Sequence, residues 1–345
     1  MSALEEMLTE LFTDKVTHER VLEAERTPLL RDLWDVVAAL DLPGVGLPEE
    51  AGGSGGTLAD VVTLLRTAGR FAVPLPLLEH HLAAWLVTSA GGRAGGAGPW
   101  SVAPNAVAGT KALTLDGDRV CGTLRDVAWG RAAARVVALL DEGTLLVLDP
   151  AEAEVTPGSD LAGQPRDAMT FAGARAEVLP SAISPDALRQ RGAVLRAAQM
   201  SGAMQAVYDI TQRYTAERHQ FGRPIGTFQA VRTHLVYLAQ MAVMTGLCAD
   251  RAAAALAAGR DASFDAYAAK LVANQNAAVS IRSGHQAHGA IGMTREYVLA
   301  DHTRRLNAWR GDWGSEQALA ERIGGAVLEA RRIATVATDE GVLTV

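Results

Sequence analysis

Residues 214–231 read YTAERHQFGRPIGTFQAV, and they lie between long apolar-periodic runs on either side. The stretch starts as a helix end. Pro224 lacks an amide proton and clashes with the preceding turn, so Gly222-Arg223-Pro224 cannot continue that helix. A turn is expected there, followed by a new helix from about Thr227. Arg218 and Arg223 place cations at a helix terminus, beside backbone freed by Gly222 and Gly226, with Phe221 between them. Guanidinium forks suit a phosphate or pyrophosphate, and the ring can stack on a planar base. The competing reading has Arg218 held by Glu217 or by a last-turn carbonyl, with Phe221 plugging the junction between the helices. Chemistry alone leaves both open.

Working outward, Ser184-Pro185-Asp186 is a helix start with proline at the first helical position, and the pattern runs on to Glu217. Along it Ala198, Gly202 and Ala206 recur every four residues, a small-residue seam into which another helix can pack. Downstream, the periodicity predicts helices over about 227–258, 264–288, 294–309 and 315–337. Long antiparallel helices with short connections make a bundle. Residues 183–345 are therefore expected as a C-terminal four-helix-type bundle.

Residues 3–91 also read as helices, with one stripe at Leu4, Met7, Leu8, Leu11 and Phe12 and another at Leu29, Leu30, Leu33, Trp34, Val37 and Leu40. The Pro/Gly-rich break DLPGVGLPEEAGGSGG (41–56) ends in a capping Thr57. Its GGSGG is read as a connector, since no Lys-Ser or Lys-Thr follows and no strand feeds it. His80 and His81 are consecutive in a helix and do not share a face, which argues against a metal pair. After GGRAGGAGPW (91–100) come short β-like runs paired across Asp116-Gly117-Asp118 and Asp141-Glu142-Gly143, so antiparallel hairpins are expected. The fold class is α+β, mostly α: an N-terminal helical domain (1–95), a small middle antiparallel β domain (96–182) and the bundle. Alternation by block speaks against a doubly wound sheet.

Of 345 residues, 49% are hydrophobic, 21% charged and 5% aromatic, which describes a globular chain with a sizeable, Ala-rich helical core. A net charge of -7 argues against a general nucleic-acid surface. The two cysteines, Cys121 and Cys248, show no zinc spacing. No metal and no membrane span are expected, and the simplest location is cytoplasmic.

With these blocks in place the chain resembles the acyl-CoA dehydrogenase family. LPEEAGGSGGTLAD (47–60) resembles that family's Pro-Glu-Glu-x-Gly-Gly turn. RYTAERHQFGRPIGTFQAV (213–231) resembles its Arg-x-Gln-Phe-Gly signature followed by Pro-Ile and Phe-Gln. QAHGAIGMTREY (286–297) resembles its Gln-x-x-Gly-Gly-x-Gly segment, with Ala290 in place of the second glycine. The resemblance implies FAD as cofactor, with Arg218, Gln220 and Phe221 on its pyrophosphate and adenine side and Gln229 contributing. Gln286, Gly289 and Gly292 would close over the dinucleotide from a neighbouring subunit, which implies an oligomer. His288, inside that segment, is the first choice if any histidine is functional.

The resemblance further implies α,β-dehydrogenation of an acyl-CoA thioester, with a carboxylate taking the α proton and hydride leaving for the flavin. Here the sequence departs from the family. In RGDWGS (310–315), alignment on Gly314 puts Trp313 where the family's glutamate belongs, so Asp312 is the named candidate base, weighed against a turn aspartate beside Gly311. The alternative family position falls near Gly192, flanked by Arg191, with no carboxylate. Glu296 is read as a helix cap with Thr294. In the β domain, WSVAPNAVAGT (100–110) is the nearest piece to a flavin-supporting segment, and Ala128 stands where a threonine usually bonds the flavin.

Two functions are therefore expected. The first is an active FAD-dependent acyl-CoA dehydrogenase for a bulky or branched acyl group, passing electrons to an electron-transfer flavoprotein or similar acceptor, as a homodimer or homotetramer. The second is a short, catalytically silent, FAD-sharing subunit of a heteromeric, steroid-type enzyme. A DNA-protection role on the same fold is disfavoured by the acidic charge and the lack of a basic tail.

Overall fold

In the computed structural model, residues 2–103, 112–140 and 143–330 are described. The chain is α+β and mostly helical. Helices α1 (Ala3–Lys15), α2 (His18–Ala24), α3 (Arg31–Ala39), α4 (Leu58–Arg70) and α5 (Leu77–Ser89) precede strands β1 (Trp100–Val102), β2 (Leu113–Asp116), β3 (Arg119–Ala128), β4 (Arg135–Leu139), β5 (Thr144–Leu148), β6 (Ala153–Thr156) and β7 (Arg166–Pro180). Then follow α6 (Pro185–Glu217), a two-strand hairpin of β8 (His219–Gln220) and β9 (Arg223–Pro224), α7 (Gln229–Ala257), α8 (Ser263–His288), α9 (Leu299–Trp309) and α10 (Glu316–Ala330). No helix among the described residues is long and apolar enough to cross a membrane.

By compactness the chain forms two units, neither of them contiguous. One comprises residues 1–21, 62–73 and 193–345, the other 22–61 and 74–192.

In the first unit the bundle helices begin where capping chemistry puts them. Ser2 Oγ accepts the Glu5 amide at the head of α1, and Ser315 Oγ accepts the Ala318 amide at the head of α10. Along the line Val231, Leu235, Leu238, Ala242, Thr245 and Ala249 expected on one side of α7, the last four are buried and the first two are half-buried. The small-residue seam of α6 receives α4. A Cβ on Gly202 would stand 1.8 Å from the Arg66 carbonyl oxygen, and one on Gly69 would stand 1.9 Å from that of Gln199. The two backbones cross with glycine on each side of the contact. One expectation is corrected. The helix placed over 294–309 begins at Leu299, because Gly289–Met293 winds as a tight 3-10 turn and residues up to Val298 form turns. Glu296 lies exposed in those turns, short of the helix start, and Thr294 Oγ1 donates back to Ile291 O at 2.9 Å, so neither caps α9.

In the second unit a seven-stranded sheet runs β1-β4-β5-β7-β3-β2, with β6 also on β7. The predicted hairpins pair as expected: β2 with β3 around Asp116↔Arg119, and β4 with β5 at Leu139↔Leu145. The long β7 binds the two halves together, pairing with β3, β5 and β6. The expectation of a purely antiparallel domain is corrected at one edge, where β1 joins β4 in parallel, Trp100↔Arg135. Parallel pairing needs a long crossover between the strands, which hairpin signals do not reveal. The tail of the candidate flavin-supporting piece 100–110 and the tip of the second turn lie outside the described residues.

Candidate functional site

The stretch 214–231 forms a projecting hairpin. Phe221 (φ 54°) and Gly222 (φ 78°) both sit in the left-handed region. Positive φ at both central residues is the backbone of a type I′ turn, normally filled by Asn-Gly. A phenylalanine there costs about 1–3 kcal/mol of backbone strain. Its ring is 91% exposed, so the junction-plug reading fails: burial does not repay the strain. The base of the hairpin is well fixed. Ile225 N donates to Arg218 O at 2.8 Å, Thr227 Oγ1 donates to Pro224 O at 2.7 Å, and the Arg223 guanidinium lies 4.2 Å over the Phe228 ring. Phe228 in turn meets Phe221 edge to face at 6.0 Å.

Arg218, Gln220 and Gln229 are exposed, and their side chains make no hydrogen bond or ion pair among the described residues. The alternative in which Glu217 holds Arg218 is not what the fold adopts. A rigid base thus carries a free guanidinium, two free amides and a bare phenyl ring.

The Gln/Gly segment follows at the end of α8. Gln286 is exposed, and Gly289 (φ 66°) has nothing within 4 Å of where a Cβ would stand, leaving open space against its backbone. Gly292 differs: it is buried, and a Cβ there would stand 2.6 Å from that of His288, so its role is packing. His288 is buried beneath Tyr214, the rings stacked at 4.4 Å, while Tyr214 Oη donates to His288 O at 3.3 Å. The structure thereby ties the end of α6 to the Gln/Gly segment through Tyr214, to which the sequence alone assigns no role. His288 Nδ1 donates to Gly284 O at 2.8 Å, and burial pulls the imidazole pKa below its usual value.

At the candidate base, Asp312 Oδ2 stands 3.0 Å from Arg196 Nη2, with the two side chains 11% and 3% exposed. Arg196 also lies over Trp309 at 5.1 Å and donates to the Gln199 side chain. Next to this pair is a wholly buried lysine. Lys270 Nζ donates to Asn274 Oδ1, to Trp309 O at 3.1 Å, to Gly314 O at 3.4 Å and to Arg310 O at 3.5 Å. An ammonium has three protons, so the first two acceptors take one each and the longer two share the third. Lys270 and Asn274, four apart on α8, therefore clamp the loop carrying Asp312 and Trp313. Trp313 itself takes φ 57°. The available signal was a Lys/Asn pair at helical spacing in an otherwise Ala-rich run.

Burial lowers the Lys270 pKa from 10.5 to about 7, opposed by Asp312 and assisted by Arg196 and Arg310. Below about pH 7 both folded and unfolded chains carry this proton. Between 7 and 10.5 the unfolded chain keeps it and the folded chain sheds it, so stability rises with pH, by at most about 1.4 kcal/mol per unit. Lys270→Met should flatten that rise in urea-unfolding midpoints measured from about pH 7 to 10.

The other family position for a base is cationic. Arg191 stacks on Trp85 at 4.5 Å and donates to His81 Nε2 at 3.2 Å, and burial brings its pKa to about 10. Burial, then Arg191, holds His81 neutral. Ala128 is buried, and its carbonyl accepts from Ser101 Oγ. Among the described residues no cluster of three or more His, Cys, Asp or Glu could hold a metal ion.

Comparison with known proteins agrees with this architecture. Residues 2–94 match the family model for the acyl-CoA dehydrogenase N-terminal domain, and residues 189–328 match that for the C-terminal domain. Acyl-CoA dehydrogenase IpdE2 of Mycobacterium tuberculosis is 29% identical over 273 residues, covering 76% of this chain and 75% of IpdE2. Acyl-CoA dehydrogenase FadE34 of the same organism is 29% identical over 300 residues, 85% of this chain but only 42% of FadE34. Among solved structures, the Tcur3481-Tcur3483 steroid ACAD G363A variant superposes with a TM-score of 0.85 at 27% identity, covering 95% of this chain and 97% of that one. The ChsE4-ChsE5 complex from Mycobacterium tuberculosis gives 0.84 at 21% identity over 95% and 98%, a likeness of fold.

Proposed function

Because the chain belongs to the acyl-CoA dehydrogenase family, FAD-dependent oxidoreductases that act on a CH–CH bond of an acyl-CoA, we propose that it works as one subunit of a heteromeric enzyme in which a homologous partner supplies the catalytic base. The observation that carries this reading is the commitment of Asp312 to Arg196 at 3.0 Å, with Trp313 in the glutamate's place. A base must give its lone pair to the substrate proton, and a carboxylate locked in a buried ion pair is a poor proton acceptor.

The residues on the hairpin fit the dinucleotide end of FAD. Arg218 would meet the pyrophosphate, Phe221 would stack on the adenine, and Gln220 and Gln229 would contribute, while Gln286 and the open backbone at Gly289 would close over the dinucleotide of a neighbouring subunit, with Gly292 holding that segment's shape. When bound, FAD supplies the hydride acceptor. A partner subunit is also favoured by α7, which turns Val236, Val243, Met244 and Leu247 to the outside along one line of the helix. The likeness to a steroid ACAD heteromer at 27% identity supports the partner and a bulky acyl group. An electron-transfer flavoprotein or similar acceptor would take the electrons.

The test is the visible spectrum. Purified alone the chain should be colourless, and co-purified with its homologue it should be yellow. Phe221→Ala in the complex should weaken FAD binding by about 5- to 150-fold, the worth of one base-aromatic stack. A yellow homo-oligomer that turns over an acyl-CoA unaided, and stops when Asp312 becomes Asn, would replace this reading with the one in which Asp312 is the base.

A further inference from the structure

In the unit formed by residues 22–61 and 74–192, two Gly-rich segments, 52–54 and 95–98, line one cavity of about 260 Å³. They approach closely enough to form its wall: a Cβ on Gly52 would stand 2.1 Å from Ala94 O. His80 also lines the cavity, though the residue is only 7% exposed.

The tautomer of His80 follows from its partners. Trp100 N donates to Nδ1 at 3.0 Å, so Nδ1 is bare and the ring proton sits on Nε2. Burial, which brings the pKa to about 4, keeps the ring neutral. Trp34 and Trp100 pack edgewise against the ring at 5.3 and 6.4 Å and fix its plane. Nε2–H has no partner among the described residues. A side chain more than nine-tenths buried, immobilised on both sides and with its one unspent donor open to the cavity, is pre-organised to meet an acceptor-bearing ligand.

The surroundings add donors. The amides of Gly95, Gly96, Ala97 and Gly98 have no backbone acceptor among the described residues, and the Arg31 guanidinium forms no ion pair there. Asp35 and Asp41 also line the cavity. Two carboxylates against one guanidinium repel a dianion such as a phosphate monoester about twice as strongly as a monoanion. The cavity is also smaller than the space a drug-sized ligand fills.

We infer that this cavity is a binding site for a small monocarboxylate, its oxygens taking the His80 Nε2–H and the amides of segment 95–98, with Arg31 pairing its charge. The site shares no residue with the hairpin, so it stands or falls apart from the flavin reading.

The experiment is equilibrium dialysis of the full chain, or of its complex with the partner subunit, against radiolabelled propionate. The expected result is saturable binding at one site per chain, weakened at least tenfold by Arg31→Gln and abolished by His80→Phe, with inorganic phosphate failing to compete. Arg31 is exposed, so its substitution tests the site even where His80→Phe does not fold. Non-saturable uptake, equal binding by Arg31→Gln, or displacement by phosphate at the same concentration as unlabelled propionate would overturn the assignment.

Discussion

Arg196→Leu lowers the unfolding free energy by about 3–5 kcal/mol, the usual cost of removing one partner from a buried ion pair. The loss comes from what remains. Asp312 loses its 3.0 Å partner at an 11% exposed position, and Trp309 loses the guanidinium that lies over its ring. Replacing both partners behaves differently, because two leucines remove both ends of the pair and fill comparable volume. Arg196→Leu/Asp312→Leu should recover most of the stability lost in the single variant. Urea-unfolding midpoints of the two single variants and the double variant close the cycle. Additive losses would show that the two residues do not act as a pair.

Gly202→Ala is the second large effect, about 3 kcal/mol or more, although the same exchange in an ordinary helix is favourable by up to about 1 kcal/mol. The new methyl would lie 1.8 Å from the Arg66 carbonyl and 2.9 Å from the Arg70 amide, both backbone atoms that cannot rotate away. The α4–α6 crossing must open, and it draws on the opposing Gly69 as well. Gly246→Ala on α7 is the control, since nothing lies within 4 Å of its Cβ position. It should raise the melting temperature slightly where Gly202→Ala lowers it by many degrees.

Both effects bear on how much could be read beforehand. The Gly202 seam was legible because a four-residue recurrence of small side chains has one common structural use, and the structure shows a helix in it. The block order, the caps at Ser184 and Thr57 and the two hairpins were legible for the same reason: each rests on interactions within a few residues. Ser184 Oγ accepts the Ala187 amide at 3.1 Å, and Asp60 Oδ2 accepts a 2.8 Å bond from the Thr57 amide. The parallel edge at β1 was not, because its pairing with β4 depends on chain far away in sequence.

At the candidate site the hairpin could be located, but the exposure of Phe221 could not, since Phe-Gly is an uncommon filling for that turn. Asp312 could be singled out, but its neighbours Arg196 and Lys270 could not. The three draw on α6, α8 and the loop after α9, residues 116 apart at the extremes of the ion pair, and no local pattern records so distant an assembly.

The tip at Phe221 also has a bearing on how such a chain can be produced. Chains synthesised in excess over whatever normally covers that ring would carry an adhesive point into the crowded cell, together with the greasy line along α7. Under the heteromeric reading proposed above, matched output of the two polypeptides is the arrangement that would keep the surplus from clumping.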